Sequence, residues 1–145
     1  MRVTTKGRYA LRAMLKLAAS NDNRPISIRA LVEGEDISPE FLEQIFFKLK
    51  KARVVNSTRG PGGGFQLNKS AAEITVNEIL DAAGEGIGLS PCTSETNDSV
   101  LCSKYDNCYV RMFWENATNH MREYFSGITL KSILDKYYRT SIRKE

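Results

Sequence analysis

The sequence predicts a mainly α chain with one small β-hairpin: a winged helix-turn-helix unit followed by a long helix suited to pairing with a second copy. Three stretches carry that prediction. Residues 54–67 set two β-prone segments, Val54-Val55 and Phe65-Gln66-Leu67, around a six-residue loop of Arg59, Gly60, Pro61, Gly62, Gly63 and Gly64, a composition that permits positive-φ turns and no helix. Residues 40–53, directly before, carry apolar side chains at helical spacing and end in Lys48, Lys50, Lys51 and Arg53. Residues 106–125 are aromatic-rich with the same helical period.

Taken in order, Thr4 or Thr5 caps a first helix over 4–20, with Leu11, Met14, Leu15 and Ala18 on one face. Lys6, Arg8, Arg12 and Lys16 lie off that stripe, where they either offer cations to phosphates or form an ordinary solvated face. After the polar break at 21–25, Ser27 caps a short helix that reaches Leu31, and 34–36 breaks the chain again. Ser38 at the cap and Pro39 at the first helical position start a third helix, which buries Phe41 or Leu42, Ile45, Phe46 and Leu49. Short helix, turn and helix have helix-turn-helix spacing, and the third helix takes the recognition position.

Ser38, Glu40, Glu43 and Gln44 would face bases in that arrangement, Gln44 suiting adenine and Glu43 a cytosine amino group, while Glu40 could simply complement the helix dipole. Lys48 follows on the same helix, and Arg59 at the wing tip has the charge and reach for a minor groove. Gly60, Gly62 and Gly63 let the backbone approach the sugar-phosphate edge. A phosphate-cradling glycine loop is the alternative for 59–64, opposed by the absence of a Lys-Ser/Thr pair and of a helix start after Gly64.

Beyond the hairpin, Thr75 to Glu78 reads as a capping box opening a helix with Val76, Ile79, Leu80 and Ala83 inward. Residues 84–104 are rich in Gly, Ser, Thr, Asn and Asp with little periodicity, so a long loop, ordered or disordered, is expected there. The helix over 106–125 lines up Tyr109, Met112, Phe113, Asn116, Ala117, His120, Met121 and Tyr124, a stripe wide enough to call for a second copy. Gly127 stops it, Thr129 caps a last helix through Leu130, Ile133, Leu134 and Tyr137, and 139–145 form a fraying basic tail. The division expected is a DNA-binding domain over 1–83, a sensor loop over 84–107 and a dimerisation region over 108–145 against which 1–20 also packs.

The charge is unevenly distributed. Residues 1–69 hold 13 Lys/Arg against 6 Asp/Glu, net +7, and residues 70–145 hold 8 against 11, net −3, so the first half is suited to a polyanion. No apolar run approaches a membrane span and the start is too polar for a secretion signal, so a cytoplasmic location is expected. One histidine, no nucleophile-base-acid set and no cofactor fingerprint argue against an enzyme. The three cysteines, Cys92, Cys102 and Cys108, leave metal binding, redox chemistry and chance all open. Their C-x9-C-x5-C spacing does not match zinc knuckles, whereas thiolates grouped on a polar loop suit an iron-sulfur cluster.

The opening Met1 to Ala10 (MRVTTKGRYA), Phe41 to Phe46 (FLEQIF) and Arg59 to Phe65 (RGPGGGF) closely resemble the IscR-type iron-sulfur-sensing regulators, and the likeness extends to the cysteines and Ile128-Thr129-Leu130. The resemblance implies a homodimer of winged-helix domains on a pseudo-palindromic double-stranded DNA operator, repressing or activating genes, with no small-molecule substrate. It also implies an iron-sulfur cluster, 2Fe-2S in preference to 4Fe-4S, on Cys92, Cys102 and Cys108. The first cysteine spacing is wider than the family's usual one, and Arg111 stands where one branch has a ligand histidine. That leaves the fourth ligand to Glu95, Asp98, Asp106 or a partner subunit. Arg111 could instead stabilise a cluster by charge, and the lone His120 is expected in the core or an interface. A cluster-free branch, controlled by oxidation or by a protein partner, is the alternative.

Overall fold

The computed structural model describes residues 3–20, 23–94 and 102–138. Helix α1 (Thr5–Ala19) buries Gly7, Ala10, Ala13, Met14 and Leu17. Of the predicted stripe only Met14 is fully buried, while Leu11, Leu15 and Ala18 flank the core. The face is displaced because the small residues Gly7, Ala10 and Ala13 allow the helix to approach its neighbours closely, a property that hydrophobic spacing undervalues. Thr4 is the cap by position, but its hydroxyl does not bond its own helix and instead donates to Glu85.

Helix α2 (Ile28–Val32) is capped by Ser27, whose hydroxyl accepts from the Ala30 amide at 3.2 Å, and α3 (Pro39–Lys51) by Ser38, which accepts from Phe41 at 3.1 Å. The inward face of α3 is Leu42, Ile45, Phe46 and Leu49, and Phe41 is left at its edge. At its end the Val54 amide donates to Leu49 O (3.0 Å) and the Arg53 amide to Lys50 O (2.9 Å), a Schellman closure with Arg53 in the left-handed position at φ 61°.

Strands β1 (Val55–Thr58) and β2 (Gly64–Leu67) pair antiparallel, Val55 opposite Leu67 and Thr58 opposite Gly64. Ile26 adds a third rung by exchanging two 2.8 Å backbone hydrogen bonds with Phe65. The Phe65 ring meets Phe46 edge-on at 5.0 Å, so the hairpin is fastened to both α3 and the segment before α2.

Helix α4 (Val76–Ala83) buries the four residues expected. Thr75 accepts from the Glu78 amide at 3.2 Å, but the reciprocal half of the predicted capping box is replaced, because the Glu78 carboxylate pairs with Lys69. Helix α5 (Arg111–Ser126) starts later than predicted: Tyr105–Asn107 is a separate 3-10 turn and Cys108 is extended at φ −88°, ψ 107°, which interrupts the helical path. The long stripe also divides. Thr118 is buried and Met121 and Phe125 pack inward, whereas Met112, Phe113 and Tyr124 face out and Tyr109 precedes the helix.

Helix α6 (Leu130–Ile133) opens with a complete Thr129–Ser132 capping box and continues into a π-helical turn, Leu134–Tyr138. The predicted tail over 139–145 lies outside the described residues. One core joins α1, α2, α3, β1, α4 and Leu130. A smaller cluster of Val76, Leu80 and Ile87 with Met121, Phe125, Ile128 and Ile133 attaches α5 to α4. The start of α6 is bonded directly beside that of α4, through Val76 N to Ile128 O (2.9 Å) and Leu130 N to Ile74 O (3.0 Å).

Candidate nucleic-acid interface and cysteine loop

On the solvent face of α3, Glu40, Glu43, Gln44, Phe47 and Lys48 line a shallow groove opposite the buried Leu42–Phe46 side. Ser38, Glu43, Gln44 and Lys48 are all exposed. The Ser38 oxygen is engaged as the helix cap, and its hydroxyl hydrogen remains able to donate. Phe47 was missed by spacing because it lies between two buried positions, Phe46 and Leu49, and only the helix orientation places its ring in solvent, 68% exposed.

The wing tip is a tight turn in which the Gly63 amide donates to Gly60 O at 2.9 Å. Pro61 supplies the fixed φ of its second position and Gly62, at φ 72°, the positive φ of its third, the signature of a type II turn. Arg59 is exposed at the base of this turn. A Cβ on Gly64 would stand 2.3 Å from the Ile26 carbonyl carbon, so its missing side chain is what allows the strand to lie against Ile26.

The lysines predicted to meet phosphates have structural partners as well. The Lys6 ammonium donates to Gly84 O at 3.4 Å, and a Cβ on Gly84 would be 3.3 Å from Lys48 Nζ. Both cations therefore sit at the carboxyl end of α4, where the helix dipole is negative. Arg8 remains exposed, its guanidinium 6.0 Å from the Tyr9 ring centroid. Arg12 and Lys16 instead hold Glu35, at 2.8 and 3.1 Å, and Lys16 also donates to Leu31 O and Glu33 O. They pin the turn that sets α3 against α1, and the Arg12 hydrogen bond holds the Glu35 carboxyl below its ordinary range despite partial burial.

Glu85 is the second residue that sequence reasoning missed. Its carboxylate is buried and accepts from Thr4 N (2.9 Å), Thr4 Oγ1 (2.5 Å) and Gly7 N (3.0 Å), satisfying the open amides at the start of α1. No local signal marks it, since the partners are about eighty positions away in the chain.

Cys92 lies half-buried in the 3-10 turn Pro91–Thr93, its Sγ 3.0 Å from Ser90 Oγ. Thr93 is hydrogen-bonded to Ser90 and accepts from the buried Thr118 hydroxyl of α5 at 3.1 Å, and Thr118 accepts in turn from the Leu89 amide at 3.3 Å. Cys102 is exposed, Cys108 is half-buried, and all three thiols are free. Among the described residues no three His, Cys, Asp or Glu side chains gather as a metal site, so the thiols are not drawn together in this arrangement.

Of the suggested fourth ligands, Glu95 and Asp98 lie outside the described residues and Asp106 is exposed. Arg111, three residues after Cys108, stacks on Tyr105 at 4.4 Å, donates to Tyr105 O at 3.0 Å and pairs with Glu115 at 3.3 Å. His120 is exposed rather than in the core, its Nδ1 2.9 Å from Asn116 O of its own helix. No helix among the described residues is long and apolar enough to cross a membrane.

A recognition helix set by a capped helix-turn-helix and followed by a glycine-rich wing defines a winged-helix DNA-binding protein. The chain belongs to the Rrf2 family, whose model, described as an iron-dependent transcriptional regulator, matches residues 3–136. It is 40% identical over 134 residues to the HTH-type transcriptional regulator candidate ORF2 of Azotobacter vinelandii, covering 92% of this chain and 79% of that one. It is 34% identical over 135 residues to the HTH-type transcriptional regulator IscR of Cronobacter sakazakii, covering 93% and 81%. Among solved structures it is similar to T. potens IscR (TM-score 0.72, 29% identity, 93% of this chain and 87% of that one). It is also similar to the oxidised form of Staphylococcus aureus CymR (TM-score 0.70, 28% identity, 94% and 98%). The protein is thus a DNA-binding transcriptional regulator, not an enzyme.

Proposed function

We propose that two copies of this chain bind a pseudo-palindromic operator, and that an iron-sulfur cluster on Cys92, Cys102 and Cys108 alters that binding. The observation that carries the coupling is the hydrogen-bonded path from Cys92 through Ser90 and Thr93 to Thr118, which ties the cysteine loop to the middle of α5. Three free thiols on one polar loop are a soft donor set suited to iron, and closing the site requires the three to be drawn together. Bound there, a cluster, 2Fe-2S in preference to 4Fe-4S, would supply a redox-sensitive group. The chain's own part is to hold Cys92 to α5 through Thr93 and Thr118.

In this reading 1–83 contact DNA, 84–107 sense, and 108–145 dimerise. Exposed Met112, Phe113, Trp114 and Tyr124 on α5, together with Tyr109, form the apolar surface that a second copy would cover. Glu43, Gln44, Lys48 and Ser38 enter the major groove, Arg59 with Gly60, Gly62 and Gly63 follow the backbone into the adjoining minor groove, and Lys6 and Arg8 add phosphate contacts. Anaerobic purification should yield a coloured protein with iron and sulfide, and the Cys92→Ala, Cys102→Ala, Cys108→Ala variant should lose both. A colourless, iron-free anaerobic product would refute the cluster and leave the DNA-binding reading standing.

A second reading is favoured by the exposure of Cys102 and by the similarity to a CymR structure in its oxidised form: thiol oxidation, or a protein partner, controls the regulator without iron. Gel shifts with reduced, oxidised and iron-reconstituted protein separate the two.

A further inference from the structure

We propose that Phe47 is a base-reading residue that packs its ring on the 5-methyl group of a thymine in the major groove. The inference rests on the reading of α3 as the recognition helix.

Phe47 is the sole exposed large hydrophobic residue among the described residues before Tyr105, and it stands on the basic half of the chain. It does not belong to an apolar patch: the groove around it is lined by Glu40, Glu43, Gln44 and Lys48. Glu40, Glu43, Gln44 and Phe47 follow the i, i+3, i+4, i+7 pattern of one helix face, the face opposite Phe46 and Leu49. A surface that docks against Glu43 and Gln44 also covers the phenyl ring.

The ring neither donates nor accepts a conventional hydrogen bond, and it leaves the surrounding carboxylates and lysine free to contact polar edges. Among the base edges in a major groove the single apolar feature is the thymine methyl group, a partner phenylalanine is suited to contact. One helical turn separates Phe47 from Glu43 and Gln44, about 5 Å along the axis. That is between one and two base-pair steps of about 3.4 Å, so Phe47 would read a base adjacent to the one facing Gln44. The side chain has no packing role that would otherwise require a ring, since its neighbour Phe46 makes the contacts to Phe65 and the core.

The test uses DNA selected from a randomised duplex library by the full-length protein, with each thymine replaced singly by deoxyuridine, which removes only the methyl group. The wild type should lose about fourfold in affinity at one thymine position, the effect of one methyl leaving an apolar contact. Phe47→Ala should be indifferent to that replacement while keeping its responses to changes elsewhere, and Phe47→Leu should retain part of the sensitivity. Both variants should keep the wild-type unfolding midpoint. An alanine variant with the wild-type profile, or a wild type indifferent at every thymine, would overturn the proposal. A wild type that enriches no sequence at all removes the base-reading role of α3 altogether, which separates that failure from this one.

Discussion

The Gly7 amide donates to Glu85 Oε2 at 3.0 Å, and a Cβ on Gly7 would stand 2.8 Å from that same oxygen, so any side chain at position 7 would displace the carboxylate that joins the start of α1 to the first residues after α4. A negative group at the amino end of a helix is favoured by the exposed amides and by the dipole. Replacing Glu85 by Ala leaves buried amides unpaired and should lower stability by about 1–3 kcal/mol. Urea unfolding measures it, and an unchanged midpoint would show that Glu85 does not hold the helix.

Gly64→Ala is expected to be among the most damaging single-methyl changes in the wing. The new Cβ would lie 2.3 Å from both the carbonyl carbon and oxygen of Ile26, at a φ of 148° that side chains rarely adopt. A loss of about 2–4 kcal/mol is expected. Calorimetry that shows no loss would mean the hairpin does not rest on Ile26.

Stability should depend on Glu35 in acid. Its folded-state pKa is depressed, first by the hydrogen bond from Arg12 and further by Lys16, so its contribution is present above the ordinary carboxylate pKa and disappears as pH falls through the lower folded value. Because the Arg12 side chain is 61% exposed, solvent screening limits the effect to under about 1 kcal/mol. Glu35→Gln should be less stable than the parent at pH 7, with the gap closing in strong acid. A gap independent of pH would contradict the ion-pair account.

Arg53→Gly should stabilise the chain. Arg53 occupies a left-handed position, φ 61°, that closes α3, where a side chain costs about 1–2 kcal/mol relative to glycine. Thermal unfolding should show a higher midpoint, and a lower one would mean that the arginine side chain makes compensating contacts.

On DNA, Arg59→Ala should weaken binding by about 1–3 kcal/mol, and Glu43→Ala should relax base selectivity more than affinity. Titrations across a base-substituted operator series decide both. Equal affinity for the Arg59 variant, or undiminished discrimination for the Glu43 variant, would count against those roles.

The helix-turn-helix and wing were legible because their signals are local. Ser27 and Ser38 announce their caps, Pro39 starts a helix, and Pro61 with Gly62 specify a turn within a few residues. The α1 face was read less well because glycine and alanine carry little hydrophobic signal yet decide how closely helices approach. The start of α5 was misplaced because aromatic periodicity continues through Tyr109 while the backbone is already extended at Cys108.

Local propensity, spacing and charge are enough to read the class of protein from the residues alone: the order of elements, the basic first half, the helix-turn-helix, the wing and the three thiols. Which polar groups meet is settled by packing. Glu85 caps α1 from across the chain, Arg12 and Lys16 hold the turn before α3, Thr118 receives the cysteine loop, and Phe47 is turned outward beside Glu43 and Gln44. These pairings depend on where helices pack in space, and a periodicity that shows which face is apolar carries no information about what stands opposite.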